Sequence, residues 1–138
     1  MSKPKSRYRT VVNPWQCDSM GHLTIRHYMA MFDEASWPFL FEIGYDPELM
    51  LPKSIGWADV HHEIDYFREL LAGERVVIEI KPVRIGNKSA VIQFDMKREG
   101  EDKTCARLTA TTVQFDLAKR CAIPIIPEVR EQLRNWLE

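Results

Sequence analysis

The chain has 138 residues, 45% hydrophobic and 28% charged, the proportions of an ordinary globular protein with a core of one domain's size. Its 19 Lys and Arg against 20 Asp and Glu leave a net charge of -1, which argues against a dedicated nucleic-acid or anionic-membrane binder, since both need a basic excess. Three cysteines, Cys17, Cys105 and Cys121, have no Cys-x-x-Cys spacing and read as free thiols in a reducing compartment. No apolar run approaches the roughly 18 residues of a membrane span, and the basic N-terminus lacks the apolar segment of a signal peptide. A cytoplasmic protein without a membrane or nucleic-acid partner is expected.

Residues 1–6 are polar and read as a loose arm. Residues 8–12 are rich in β-formers and stop at Asn13-Pro14, a turn signal. A short polar turn carrying Asp18 and His22 comes next. After it Ile25, Tyr28, Met29, Phe32, Ala35, Ser36, Phe39, Leu40 and Ile43 repeat at i, i+3, i+4, i+7 spacing, one face of a long helix. Ser19 or Thr24 can cap its start, and Thr24 is preferred because the period begins at Ile25. Gly44 suits the residue after its end. Pro38 lies inside the periodic run, where it removes a hydrogen bond to the Glu34 carbonyl. One kinked helix is expected rather than two, because the apolar face stays in phase through Ile43.

Asp46-Pro47 suits the start of a helical turn. Residues 57–67 read as a strand, and Leu71 to Glu74 as a turn. Val76, Ile78 and Ile80 alternate with Val77, Glu79 and Lys81 in a strand over residues 75–85. Gly86-Asn87 is a turn. Ala90, Ile92, Phe94 and Met96 then face inward from a strand over 89–97, and 104–115 is a long strand rich in Thr and Val. Pro127 opens a helix over 127–138, with Val129, Leu133 and Trp136 or Leu137 as its apolar positions. The order β-α-β-β-β-β-α describes one α+β domain over 1–138. Four successive strands joined by short connections predict an antiparallel meander that curls around the long helix.

The strand, the D-S-M-G-H-L turn at 18–23, the long helix with Tyr28 in its first turn, and the strands that follow resemble the hotdog-fold acyl-CoA thioesterases of the 4-hydroxybenzoyl-CoA thioesterase type. Further echoes are E-I-D-Y-F at 63–67, G-E-R-V at 73–76, I-G-N-K-S at 85–89 and I-P-I-I-P-E-V-R at 123–130. The resemblance spans nearly the whole chain. It implies a single hotdog domain, a long central helix wrapped by a curved antiparallel sheet, acting on a small or medium acyl-CoA. Two positions depart from the family's D-x-D-x-x-G-H-x-N turn: Gln16 stands for its first Asp and Thr24 for its Asn. The acid credited with catalysis is Asp18.

Thioester hydrolysis needs a nucleophile or activated water and donors for the developing oxyanion. An aspartate, ordinarily charged at neutral pH, can attack the carbonyl or act on water as a general base. The residues leave both roles open for Asp18. A helix N-terminus offers free N–H groups and a positive dipole end, and the resemblance assigns the oxyanion donor to the backbone of Ile25. It further implies substrate contacts at Gly21, His22, Thr24, Tyr28, Trp57 and Glu63. Taken alone, Asp18 suits a turn acid, His22 a turn brace, Tyr28 core packing and Glu63 a solvated strand face. Gly21 suits a positive φ.

Trp37, Phe41 and Trp57 could line an acyl pocket. Such aromatics suit an aryl group, or a cationic one through cation–π contact. Arg84, Lys88 and Arg98 could meet the phosphates of CoA, which enters as part of the substrate; no cofactor is implied. The histidines His22, His27, His61 and His62 lack the spacing of metal ligands, because the first two straddle a helix start and the last two point to opposite sides of a strand. A curled sheet with an exposed edge predicts self-association as a homodimer or homotetramer. The alternatives are a hotdog hydratase or dehydratase, and a non-catalytic acyl-CoA-binding protein.

Overall fold

The computed structural model of the chain describes residues 6–137. In chain order the elements are β1 (Ser6–Val11), α1 (Ile25–Glu42), α2 (Pro47–Met50), β2 (Ile55–Tyr66), β3 (Arg75–Ile85), β4 (Ser89–Arg98), β5 (Thr104–Asp116), β6 (Cys121–Ala122) and α3 (Pro127–Trp136). Single 3-10 turns, Pro14–Gln16 and Leu51–Lys53, follow β1 and α2. Ser6 is buried and pairs with Ile80, so the expected loose arm does not reach residue 6. Its other positions, 1–5, lie outside the described residues.

The alternation in β3 and β4 behaves as read. Val76, Ile78, Ile80, Ala90, Ile92, Phe94 and Met96 are all buried, and α1 lays Tyr28, Met31, Phe32, Ala35 and Phe39 against them. Phe32 meets Phe94 edge to face with ring centres 6.1 Å apart, an arrangement that aromatic quadrupoles favour. Two positions on the helix differ from the expected stripe. Ile25 is 74% exposed, because the first residue of a helix leans its side chain back past the helix end. Met31 is buried, at i+3 from Tyr28 and i−4 from Ala35, which widens the stripe.

Helix α1 runs unbroken through Pro38 as one helix. It ends in a Schellman motif: Tyr45 N–H donates to Leu40 O at 3.0 Å, Gly44 N–H donates to Phe41 O at 3.1 Å, and Gly44 takes φ +95°. Asp46 caps α2 by accepting the Glu48 N–H at 2.9 Å. Val129 and Leu133 of α3 are buried, and Trp136 packs edge to face on Phe39 at 5.1 Å.

The sheet is antiparallel, but it is not the expected meander. Its order is β1-β3-β4-β5-β2, with β6 as a short addition to β5. Only β3, β4 and β5 follow one another. β1 occupies the edge of β3, so β2 crosses to the far side and pairs with β5 from Ile55↔Asp116 to Tyr66↔Ala106. The connection from β2 to β3 therefore passes the start of α1 instead of closing a hairpin, and buries Leu70 completely. A curled antiparallel sheet holding one long helix is the hotdog fold. No helix among the described residues is long and apolar enough to cross a membrane.

Candidate active site

Residues 16–24 form a miniature hairpin leading into α1. Cys17 bridges Leu23, Asp18 N–H donates to His22 O at 2.9 Å, and Thr24 N–H donates to Gln16 O at 3.0 Å. Gly21 closes the tip with φ +85°, a conformation that costs other residues about 1–2 kcal/mol. Asp18 Oδ1 accepts the N–H groups of Met20, at 2.9 Å, and His22, at 3.1 Å. Asp18 Oδ2 has no partner among the described residues, and the side chain is half-buried. One oxygen holds the turn and the other is free.

Thr24 is the N-cap position of α1, as expected, but its hydroxyl does not cap. It donates instead to Gln16 O at 3.2 Å. The N–H groups of His27 and Tyr28 reach Thr24 O. Those of Ile25 and Arg26 have no acceptor among the described residues, as the first turn of a helix leaves them. With no acid in that turn, the dipole end stays positive.

The β2–β3 connection braces this hairpin from outside. Leu23 N–H donates to Leu70 O at 2.8 Å, and His22 bridges Leu71. His22 Nε2 lies 3.0 Å from Glu69 Oε2, so the histidine ties the turn to the connection. Arg98 holds the same connection, bonding the Glu74 carboxylate through Nε and the Glu69 carbonyl through Nη2. Its guanidinium is thus occupied by protein, and it stands at the opposite end of the β3–β4 ladder from Arg84 and Lys88. The grouping of these three cations expected from the sequence does not form. Arg84 and Lys88 flank the Gly86-Asn87 turn with exposed side chains, and Arg130 of α3 secures that turn by donating to Gly86 O at 3.0 Å and Asn87 O at 2.6 Å.

Tyr28 is buried and packs edge to face on Tyr66 at 5.1 Å. Burial, and then the neighbouring Cys105 thiol, push its phenol pKa upward. Burial likewise raises the Cys105 thiol, against the opposing pull of Arg98. Tyr28 is not among the residues around a cavity of about 270 Å³ between α1 and the sheet. Trp37 and Trp57 do line it; Phe41 does not, and packs on Trp37 with ring centres 6.3 Å apart. The Trp57 Nε1 donor is buried without a partner among the described residues.

The ladder between β2 and β5 shifts register between Asp59 and His61. The extra residue, Val60, is a β-bulge, which two-residue alternation could not foresee. It places Trp57, Asp59 and His62 together on the cavity face, opposite Gln114, Thr112 and Ala110. His62 Nε2 sits 3.3 Å from Asp59 Oδ2. His61 and Glu63 pair with each other, exposed, at 3.3 Å. Glu63 is not among the residues that line the cavity. Among the described residues no group of three or more His, Cys, Asp or Glu is placed to hold a metal ion.

Residues 12–133 match the model of the thioesterase-like superfamily, and the chain belongs to that family. Among curated relatives, the long-chain acyl-CoA thioesterase FadM of Escherichia coli (strain K12) is 24% identical over 127 residues, covering 92% of this chain and 96% of FadM. A 1,4-dihydroxy-2-naphthoyl-CoA hydrolase of Prochlorococcus marinus (strain NATL2A) is 28% identical over 78 residues, 56% of this chain. This chain spans 46% of that relative's length. Among solved structures, SAV2348 of Staphylococcus aureus, determined in complex with CoA, superposes with a TM-score of 0.89 at 12% identity, covering 99% of this chain and 85% of the other.

Proposed function

We propose that the chain hydrolyses an acyl-CoA thioester to the free acid and CoA. The observation that carries this reading is the junction of the 16–24 hairpin with α1. There a carboxylate has one oxygen braced by two N–H groups and the other free. The unpartnered N–H groups of Ile25 and Arg26 open the helix that this hairpin leads into. In the proposed reaction the thioester oxygen sits at the Ile25 N–H, which stabilises the charge that develops there. Asp18 Oδ2 either bonds to the carbonyl carbon or takes a proton from the attacking water. In the first case the CoA thiolate leaves a mixed anhydride on Asp18, which water then hydrolyses; in the second the hydroxide formed from that water adds to the carbonyl and expels the thiolate. Either way one water is consumed, the thiolate is protonated, and the acyl group departs as a carboxylate.

Family membership and the activities of FadM and the naphthoyl-CoA hydrolase support the reaction class. The CoA complex of SAV2348 supports the choice of carrier. Arg84 and Lys88 are exposed and neither is engaged in an ion pair among the described residues, but they stand at the far end of the β3–β4 ladder from the 16–24 turn, so their assignment to CoA phosphates requires that they serve the site of a second copy. We also assign the assembly as at least a dimer. β2 is an edge strand carrying exposed Val60 and Tyr66, and Trp15, Met20 and Ile25 form an exposed apolar rim beside the catalytic turn. A second copy would cover both.

Release of free thiol from a panel of acyl-CoAs, spanning short aliphatic, long aliphatic and aryl groups, tests the reading. Turnover of at least one at enzymatic rates is expected. Stoichiometric binding of acyl-CoA with no thiol released from any of them would assign the chain to binding instead.

A further inference from the structure

We propose that the cavity between α1 and the sheet receives the acyl group and selects one that ends in a cation, an ammonium or quaternary ammonium. This rests on the thioesterase reading for the reaction, and on separate observations for the selectivity.

The cavity lies in the right place. Its wall begins at Met29, one helical turn beyond Ile25, or about 6 Å along the axis. An acyl chain whose carbonyl is held at the Ile25 N–H can therefore run along α1 into the space. At about 270 Å³, the space is at the small end for ligand pockets, which fits a short acyl group.

Its lining has a definite polarity. The buried part of the lining is apolar and includes Phe32, Phe39, Phe94 and Leu108. The exposed or half-buried part carries Trp37, Tyr45 and Trp57 together with Asp33 and Asp59. Among the described residues no lysine or arginine lines it. The Asp33 carboxylate has no ion-pair or hydrogen-bond partner among the described residues. Asp59 is steered by His62, which shares its face of β2 only because of the bulge at Val60. In a regular strand His61 would occupy that place and His62 would turn away. Aromatic faces attract a cation through their quadrupoles, and this is the usual way proteins hold quaternary ammonium groups. Two carboxylates in the same lining add charge attraction and disfavour an anionic acyl end.

The test compares three CoA thioesters on the intact protein: a 4-(trimethylammonio)butanoyl thioester, its neutral isostere 5,5-dimethylhexanoyl, and a 4-hydroxybenzoyl thioester. The expected result is a kcat/KM at least about 10-fold higher for the cationic substrate than for either other. Asp33→Asn and Asp59→Asn should each lower kcat/KM for the cation at least about 5-fold and leave the neutral isostere within about 2-fold. Equal turnover of the cation and its isostere, faster turnover of the hydroxyaryl substrate, or equal losses on all substrates in the variants would each overturn the proposal while leaving the thioesterase reading intact. If no thioester is cleaved, tryptophan fluorescence titrated with tetramethylammonium decides. Saturable quenching that is weakened in Asp59→Asn supports the cation site without the reaction, and no saturable change overturns it.

Discussion

The Gln16 carbonyl accepts two hydrogen bonds from Thr24, one from its N–H at 3.0 Å and one from its hydroxyl at 3.2 Å. These are the two positions at which the turn departs from the pattern of similar thioesterases, and they meet each other. The acceptor is main chain, so a glutamine serves as well as an acid would. The Gln16 side chain has its own role, accepting the Asn13 N–H at 2.8 Å and closing the preceding 3-10 turn. Thr24 thus fixes the residue immediately before the proposed oxyanion donors. Thr24→Val keeps the shape and loses the hydroxyl bond. It should lower stability by about 1 kcal/mol and kcat by about 10-fold through misplaced donors, with KM nearly unchanged. Thr24→Ser should behave as wild type. Steady-state kinetics and thermal unfolding of the two variants check this.

Arg98 is engaged by protein groups, and we assign it a positioning role in place of a phosphate contact. It anchors the β2–β3 connection through Glu74 and the Glu69 carbonyl, and that connection holds Leu23 and His22. Arg98→Met leaves the partly buried Glu74 carboxylate without its cation, and a loss of about 2–3 kcal/mol is expected. Hydrogen exchange should show faster opening at the Leu23 amide, which bonds to Leu70 O, while the amides of the β3–β4 hairpin near Asn87 stay protected. Unchanged exchange at Leu23 would separate Arg98 from the turn.

The buried phenol of Tyr28 gives a pH prediction. Its pKa is raised above the ordinary 10.0 and that of Cys105 above 9.0, burial being the main cause of each. The folded state therefore binds these protons more tightly than the unfolded chain does. The associated stability is fully present below the unfolded-state values and is lost as pH rises through the folded ones. Unfolding temperature should hold through neutral pH and fall from about pH 9 upward. Tyr28→Phe should flatten the part of that fall above about pH 10, as scanning calorimetry between about pH 7 and 11 would record.

Much of this arrangement is legible in the sequence where one residue type answers one local need. The alternation of β3 and β4, the stop at Gly44, the Asp46 cap and the helix start after Thr24 all follow from such needs. Pairing is different. Nothing in residues 57–67 says that their partner is β5 and not β3, because that choice depends on β1 already occupying the edge of β3. The bulge at Val60 escapes for a related reason. His61-His62-Glu63 is polar throughout, so a one-residue shift leaves no break in a hydrophobic pattern. The buried Gln114, whose Nε2 donates to Gly56 O at 2.7 Å, sits among threonines that give no hint of burial. The separation of Arg98 from Arg84 and Lys88 is readable from length alone: strands of this size place a residue near one turn roughly 30 Å from the far end of the hairpin.

The most direct test of the central claim is thiol release by Asp18→Asn on the best acyl-CoA substrate of the wild type. The amide oxygen that this substitution leaves at the position can still accept the Met20 and His22 N–H groups, so the hairpin should persist and the unfolding temperature should change little. What disappears is the free carboxylate oxygen. The account predicts a fall in kcat of about 100-fold to 10,000-fold, with substrate binding retained. A folded Asp18→Asn protein that keeps more than half of the wild-type rate would contradict it.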